Sequence, residues 1–244
     1  MIAARRRFAM RRLWPDVRLG QHLMGTSVTD TVAKAFALAL SDQRAVLKRW
    51  TGLARGIGTL LPDSLLSASV YQIGTVDVLL RSLEKEREPL VYEQVKSDEE
   101  VRREFHYQCI LSQNWVCSAY EIFRLLKSRK LVSDNPEFDA LAHDLRLLRI
   151  PFDKHQIAAD GELPGPIEFR SPPSPFHETQ YYLYDPNDAL RGYDMLLGVA
   201  ADGSVMWNTV DGTNGETKWL VRSALSDRII AVFAPHSENG GPGR

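Results

Sequence analysis

The sequence predicts a mainly α fold: a helical bundle, then a small antiparallel β-sheet and a terminal helix. Three observations carry this. Up to about Ala159 the chain has few helix breakers, and its apolar residues recur at helical spacing. Residues 161–176 form a Pro-rich tract of the kind that makes an extended, stiff connector. Beyond it come short aromatic runs separated by turn signals such as Asp202-Gly203. The organisation that follows is a basic arm (1–25), a helical bundle (26–160), the connector (161–176), a small α/β appendage (177–236) and a tail (237–244).

The first helical segment is expected to start at a cap on Thr29 or Asp30 and end before Gly52. Val32, Phe36, Leu40, Val46, Leu47 and Trp50 are its apolar members. The cluster Gly52-x3-Gly56-x-Gly58 lacks both a preceding strand and the Gly-Lys-Ser/Thr of a phosphate loop, so it reads as a plain loop. A second helix is expected from about Asp63 to Glu88, with Leu65, Leu66, Val70, Ile73, Val76, Leu79, Leu80 and Leu83 on one face. A third runs from Asp98 toward Lys130. Its acidic start (Asp98, Glu99, Glu100) and basic end (Lys127, Arg129, Lys130) complement the helix dipole. A fourth opens at Asn135-Pro136, since proline suits the first helical position. Pro151 is expected to kink or interrupt it. In the last part, residues 193–199, 205–207 and 218–221 read as strands, and residues 223–233 as a helix.

Composition narrows the setting. The formal net charge of −1 gives no global attraction to nucleic acid or membrane, so a nucleic-acid role needs a local basic patch. Arg5, Arg6, Arg7, Arg11, Arg12 and Arg18 supply one in the arm, and no apolar run follows them as in a secretory signal. No window reaches the roughly 18 apolar residues of a membrane span. Cys109 and Cys117, if on one helix, lie about 12 Å apart along its axis. That is too far for a disulfide, so both are expected to be reduced, which fits a cytoplasmic protein.

The densest chemistry lies in Leu145–His155, which contains Arg146, Arg149, Asp153, Lys154 and His155. Arginine forks onto phosphate oxygens, and histidine moves a proton near neutrality. Arg149-x5-His155 therefore suits RNA transphosphorylation without a metal, with Arg146 and Lys154 as further phosphate contacts. On a regular helix Arg149 and His155 sit about 120° apart, so one helix does not aim both at one target. An Arg-x4–6-His motif late in an all-helical bundle resembles the HEPN superfamily, over roughly residues 60–160. The resemblance implies a metal-independent ribonuclease, with Arg149 on the scissile phosphate, His155 as acid/base and Glu121 of the preceding helix in support. It also implies a homodimer in which both motifs line one cleft, with RNA as the partner. Ile150 stands where active members carry a polar residue, and Pro151 lies inside the motif. These departures fit the alternative, a non-catalytic module that binds another protein. In that reading Arg149 pairs with Asp153 at i+4 and His155 is an ordinary polar residue.

No cofactor is expected. His143 and His155 are twelve apart, not the i, i+4 of a shared metal, and the acidic turns 185–188 and 211–216 lack EF-hand spacing. No Gly-x-Ser-x-Gly elbow occurs. Phe176, Tyr181, Tyr182, Tyr184, Tyr193, Trp207 and Trp219 read as the core of the small sheet, or else as a partner surface.

Overall fold

The computed structural model describes residues 27–61, 65–92, 99–132, 134–170 and 181–233. The arm, Phe176 and the tail lie outside the described residues. The first segment divides into two helices, α1 (Val28–Asp42) and α2 (Arg44–Leu60), which meet at Gln43. The cap of α1 is Ser27, whose hydroxyl accepts from Asp30 N at 3.0 Å, rather than Thr29 or Asp30. The expected loop at Gly52–Gly58 is a correction: all three glycines lie inside α2. Trp50, Ala54 and Ile57 bury one face of that helix. Their burial outweighs the roughly 1 kcal/mol that each helical glycine costs.

Helix α3 (Leu66–Tyr92) packs against α2 so closely that a Cβ on Gly74 would lie 2.5 Å from Trp50 Cβ. Helix α4 (Glu99–Ser128) follows, and then α5 (Pro136–Lys154). Asn135 caps α5 by accepting from Glu137 N and Phe138 N, with Pro136 in the first turn as expected.

Pro151 does not break α5, which runs on to Lys154. Proline has no N–H to give the carbonyl four residues back, here Leu147. The Thr209 hydroxyl donates to that carbonyl instead, at 2.9 Å. The helix stops one turn later, at His155, in the left-handed region with φ 52°.

Strands β1 (Ile167–Arg170) and β2 (Tyr181–Tyr184) form an antiparallel pair that was not foreseen, because β1 lies within the Pro-rich tract. Strands β3 (Leu196–Val199), β4 (Val205–Val210) and β5 (Thr217–Val221) form an antiparallel sheet in that order. Helix α6 (Arg222–Val232) closes the described chain. The β3–β4 turn uses Gly203 at φ 77°, and a Cβ there would fall 2.2 Å from the Glu84 carbonyl oxygen. Glycine is thus required both by the turn and by the approach to α3.

Val205, Trp207, Leu220, Leu225, Ile229 and Ile230 share one buried core with the helices. A smaller cluster of Ile157, Leu163, Tyr184, Tyr193 and Val210 sits under the β1–β2 pair. A polar knot crosses the main core. Arg222 is fully buried and donates to Asp77 and to Glu84, the latter at 2.5 and 2.7 Å. Asp77 also accepts from Trp50 Nε1 at 2.8 Å and Arg81 Nε at 2.9 Å. No helix among the described residues is long and apolar enough to cross a membrane.

Candidate functional site

The structure brings together some of the sequence-predicted residues and leaves others apart. Glu121 on α4 and Arg149 on α5 face one another, with Arg149 Nη2 3.6 Å from Glu121 Oε1. The same nitrogen is 2.9 Å from Asp153 Oδ2, the i+4 partner that helical spacing offers. The guanidinium also lies 5.6 Å from the Tyr120 ring centroid. Glu121 is shared with Arg124 at 2.7 Å. Arg149 is therefore neutralised by two carboxylates of its own chain. Beside them, burial first and then the negative Asp153 push the Cys117 thiol up to about 11. Cys109 and Cys117 are both free.

No hydrogen bond or ion pair joins His155 to Arg149. His155 caps α5 in the left-handed conformation, its N–H donating to Pro151 O at 3.0 Å and its carbonyl accepting from Tyr193 N at 2.8 Å. Its Nδ1 lies 3.7 Å from Asp194 Oδ1. The ring lines a cleft of about 240 Å³ together with Gln113, Phe152, Tyr193, Asp194 and Trp207. Arg146 and Lys154 are exposed, and neither forms an ion pair with a described residue.

Sequence reasoning missed Asp194, Gln113 and Trp207 as neighbours of His155. They come from three separate elements, and no spacing in the chain announces the meeting. The aromatic group divides. Tyr184, Tyr193 and Trp207 are buried, whereas Tyr181 and Trp219 are exposed.

A second concavity, of about 890 Å³, runs between α2, the α4–α5 connection and the end of α6. Gly52, Leu53, Gly56, Leu131, Val132 and Phe233 are among its lining residues. Among the described residues, nothing lies within 4 Å of a Cβ placed on Gly52 or Gly56. Among the described residues, then, the two helical glycines Gly52 and Gly56 have no packing reason.

Among the described residues no group of three or more His, Cys, Asp or Glu side chains could hold a metal ion. The chain matches no known family model, no curated protein and no solved structure.

Proposed function

We propose that this chain is a non-catalytic helical module of HEPN-like shape whose apolar groove takes a helix of another protein. The observation that carries the reading is the open groove with Gly52 and Gly56 one turn apart on its wall. Small residues let a second backbone approach closely, and an amphipathic helix laid in a groove buries its apolar face. The state of Arg149 supports the choice over catalysis. A scissile phosphate would have to displace both Asp153 and Glu121 from the guanidinium.

The test is a photo-crosslinking amino acid placed at Gly56 in cells, with one at exposed Arg146 as reference. A discrete protein adduct from position 56, absent from position 146, is the expected result. Equal labelling at both positions overturns the groove.

One observation favours a second reading. Glu121 does meet Arg149 from the preceding helix, as the HEPN resemblance implies for a metal-independent endoribonuclease. In that reading two copies pair so that Arg149 of one and His155 of the other face one RNA phosphate, with Arg146 and Lys154 as further contacts. Cleavage of single-stranded RNA in EDTA would then fall by about 10²–10⁴-fold in His155→Ala. Arg149→Ala should fall comparably. The interaction reading instead expects no cleavage above background from any of the three proteins.

A further inference from the structure

If the groove on α2 takes a helix, as the reading above holds, its surroundings select the charge of that helix. Leu53, Ile57, Leu131, Val132 and Phe233 are part of an apolar floor, and Arg49 is the one charged residue among those lining it. From Arg49 to Thr59 the α2 wall runs about 15 Å at the helical rise.

The rim around this floor is basic. Helix α2 carries Arg44, Lys48, Arg49 and Arg55 and no acidic residue. All four are exposed, and none forms an ion pair with a described residue. Arg44 and Lys48 stand at i and i+4, where like charges cost a helix about 0.2–0.5 kcal/mol. Helical spacing sets Lys48 and Arg55 along one side of the Gly52–Gly56 line. On the wall formed by the α4–α5 connection, exposed Arg129 and Lys130 lead into Leu131 and Val132. They also form no ion pair with a described residue, and Asp134 is the one carboxylate of that connection. By contrast, Arg81 meets Asp227, Lys85 meets Asp42, Lys127 meets Asp139 and Arg228 meets Glu137. The whole chain has a formal net charge of only −1, so the basic rim is a local asymmetry.

A basic rim around an apolar floor is complementary to a helix whose apolar stripe is flanked by Asp and Glu. Nucleic acid fits less well. The floor is mostly aliphatic, where a phosphate chain needs donors and bases need aromatic faces. The chain's own arm, with Arg5, Arg6, Arg7, Arg11, Arg12 and Arg18, carries the rim's sign of charge and is a poor occupant.

We propose that the groove on α2 recognises an acidic amphipathic helix of about three turns in another protein. Its apolar stripe lies against Gly52, Gly56 and the Leu131–Val132 wall, and its carboxylates face Lys48, Arg49 and Arg55.

The full chain, used as bait against a displayed library of helical peptides, tests this. Each peptide carries an apolar stripe at i, i+3, i+4 and i+7, with Glu, Gln or Lys varied at the flanking positions. A parallel selection uses Gly56→Leu, which fills the groove from a position where a Cβ meets nothing. The expected winners are Glu-flanked and bind the native chain at least about tenfold more tightly than Gly56→Leu. Their affinity should fall as salt rises. The triple variant Lys48→Glu/Arg49→Glu/Arg55→Glu alters exposed residues alone, and circular dichroism checks that it keeps its helices. It should bind those winners about tenfold more weakly and enrich Lys-flanked peptides instead. Winners that depend on Gly56 but show no preference for Glu, or prefer Lys, overturn the charge assignment and leave the groove standing. Glu-flanked peptides that bind Gly56→Leu equally well, or no enrichment over empty bait, remove the groove reading and this proposal with it. Tighter binding of a single-stranded oligoribonucleotide than of any peptide, unaffected by Gly56→Leu, assigns the rim to nucleic acid and overturns the proposal. So does peptide binding that appears only after residues 237–244 are removed, which gives the groove to the chain's own tail.

Discussion

At the residue scale the decisive group is Arg222. Burial alone would lower its pKa, but Glu84 and Asp77 hold it charged and raise it. Burial would likewise raise Asp77, yet Arg222 and Arg81 outweigh it and its carboxyl titrates below the ordinary value of 3.8. Arg222→Ala strands two buried carboxylates and should cost about 3–5 kcal/mol, read by chemical denaturation. The lowered Asp77 gives the acid response its sign. Its contribution is fully present above the unfolded-state value and is lost as pH falls through the lower folded value. Stability should therefore be flat above about pH 4 and drop below it in an acid titration. The cysteines give a second residue-level expectation. Burial pushes both thiols up to about 11, so a thiol reagent at neutral pH should react slowly until the chain is unfolded. The Asn135-Pro136 cap and the Arg149–Asp153 pair were legible because they are local. Arg222 was not, since its carboxylate partners lie 145 and 138 residues away in sequence.

At the element scale, periodicity located α3, α4 and α5 to within a few residues, although α3 also buries Asp77 and Glu84 among its apolar residues. It failed at α2, where glycines disguised a helix held by Trp50, Ala54 and Ile57. It also failed at β1, where neighbouring prolines hid a strand whose stability comes from pairing with β2. The same glycines supply a test. Gly52→Ala and Gly56→Ala should each stabilise the isolated protein by up to about 1 kcal/mol, while weakening any helix docked in the groove. The proline in α5 supplies another. Thr209→Val leaves the Leu147 carbonyl unpaired and should destabilise by about 1–3 kcal/mol. Pro151→Ala restores an N–H in reach of that carbonyl, so the double variant should recover part of the loss. Additive losses across this cycle would show that the hydroxyl does not stand in for the missing amide.

At the scale of the whole molecule, one core runs from Trp50 to Ile230 and takes in helices and sheet alike. Thermal unfolding should therefore be a single transition, with far-UV and near-UV signals coinciding. Separate transitions would mean that β3–β5 and α6 unfold on their own. The site follows the same logic as the core. The Arg149–Glu121 proximity was expected only through the HEPN resemblance, which puts Glu121 of the preceding helix in support of Arg149. The cleft at His155 was not, because it exists only once β4 and the segment ahead of β3 dock onto the end of α5.

The position of Arg222 also has a meaning for synthesis. Asp77, already paired with Arg81, and Glu84 leave the ribosome well over a hundred residues before Arg222, the buried cation they share. Until it emerges, α3 carries Glu84 without its buried cation toward a half-built interior, so the early helices lack a complete native state to adopt. The chain is expected to stay loosely collapsed until α6 emerges. A premature stop anywhere before residue 222 should therefore yield an aggregation-prone polypeptide rather than a smaller working protein.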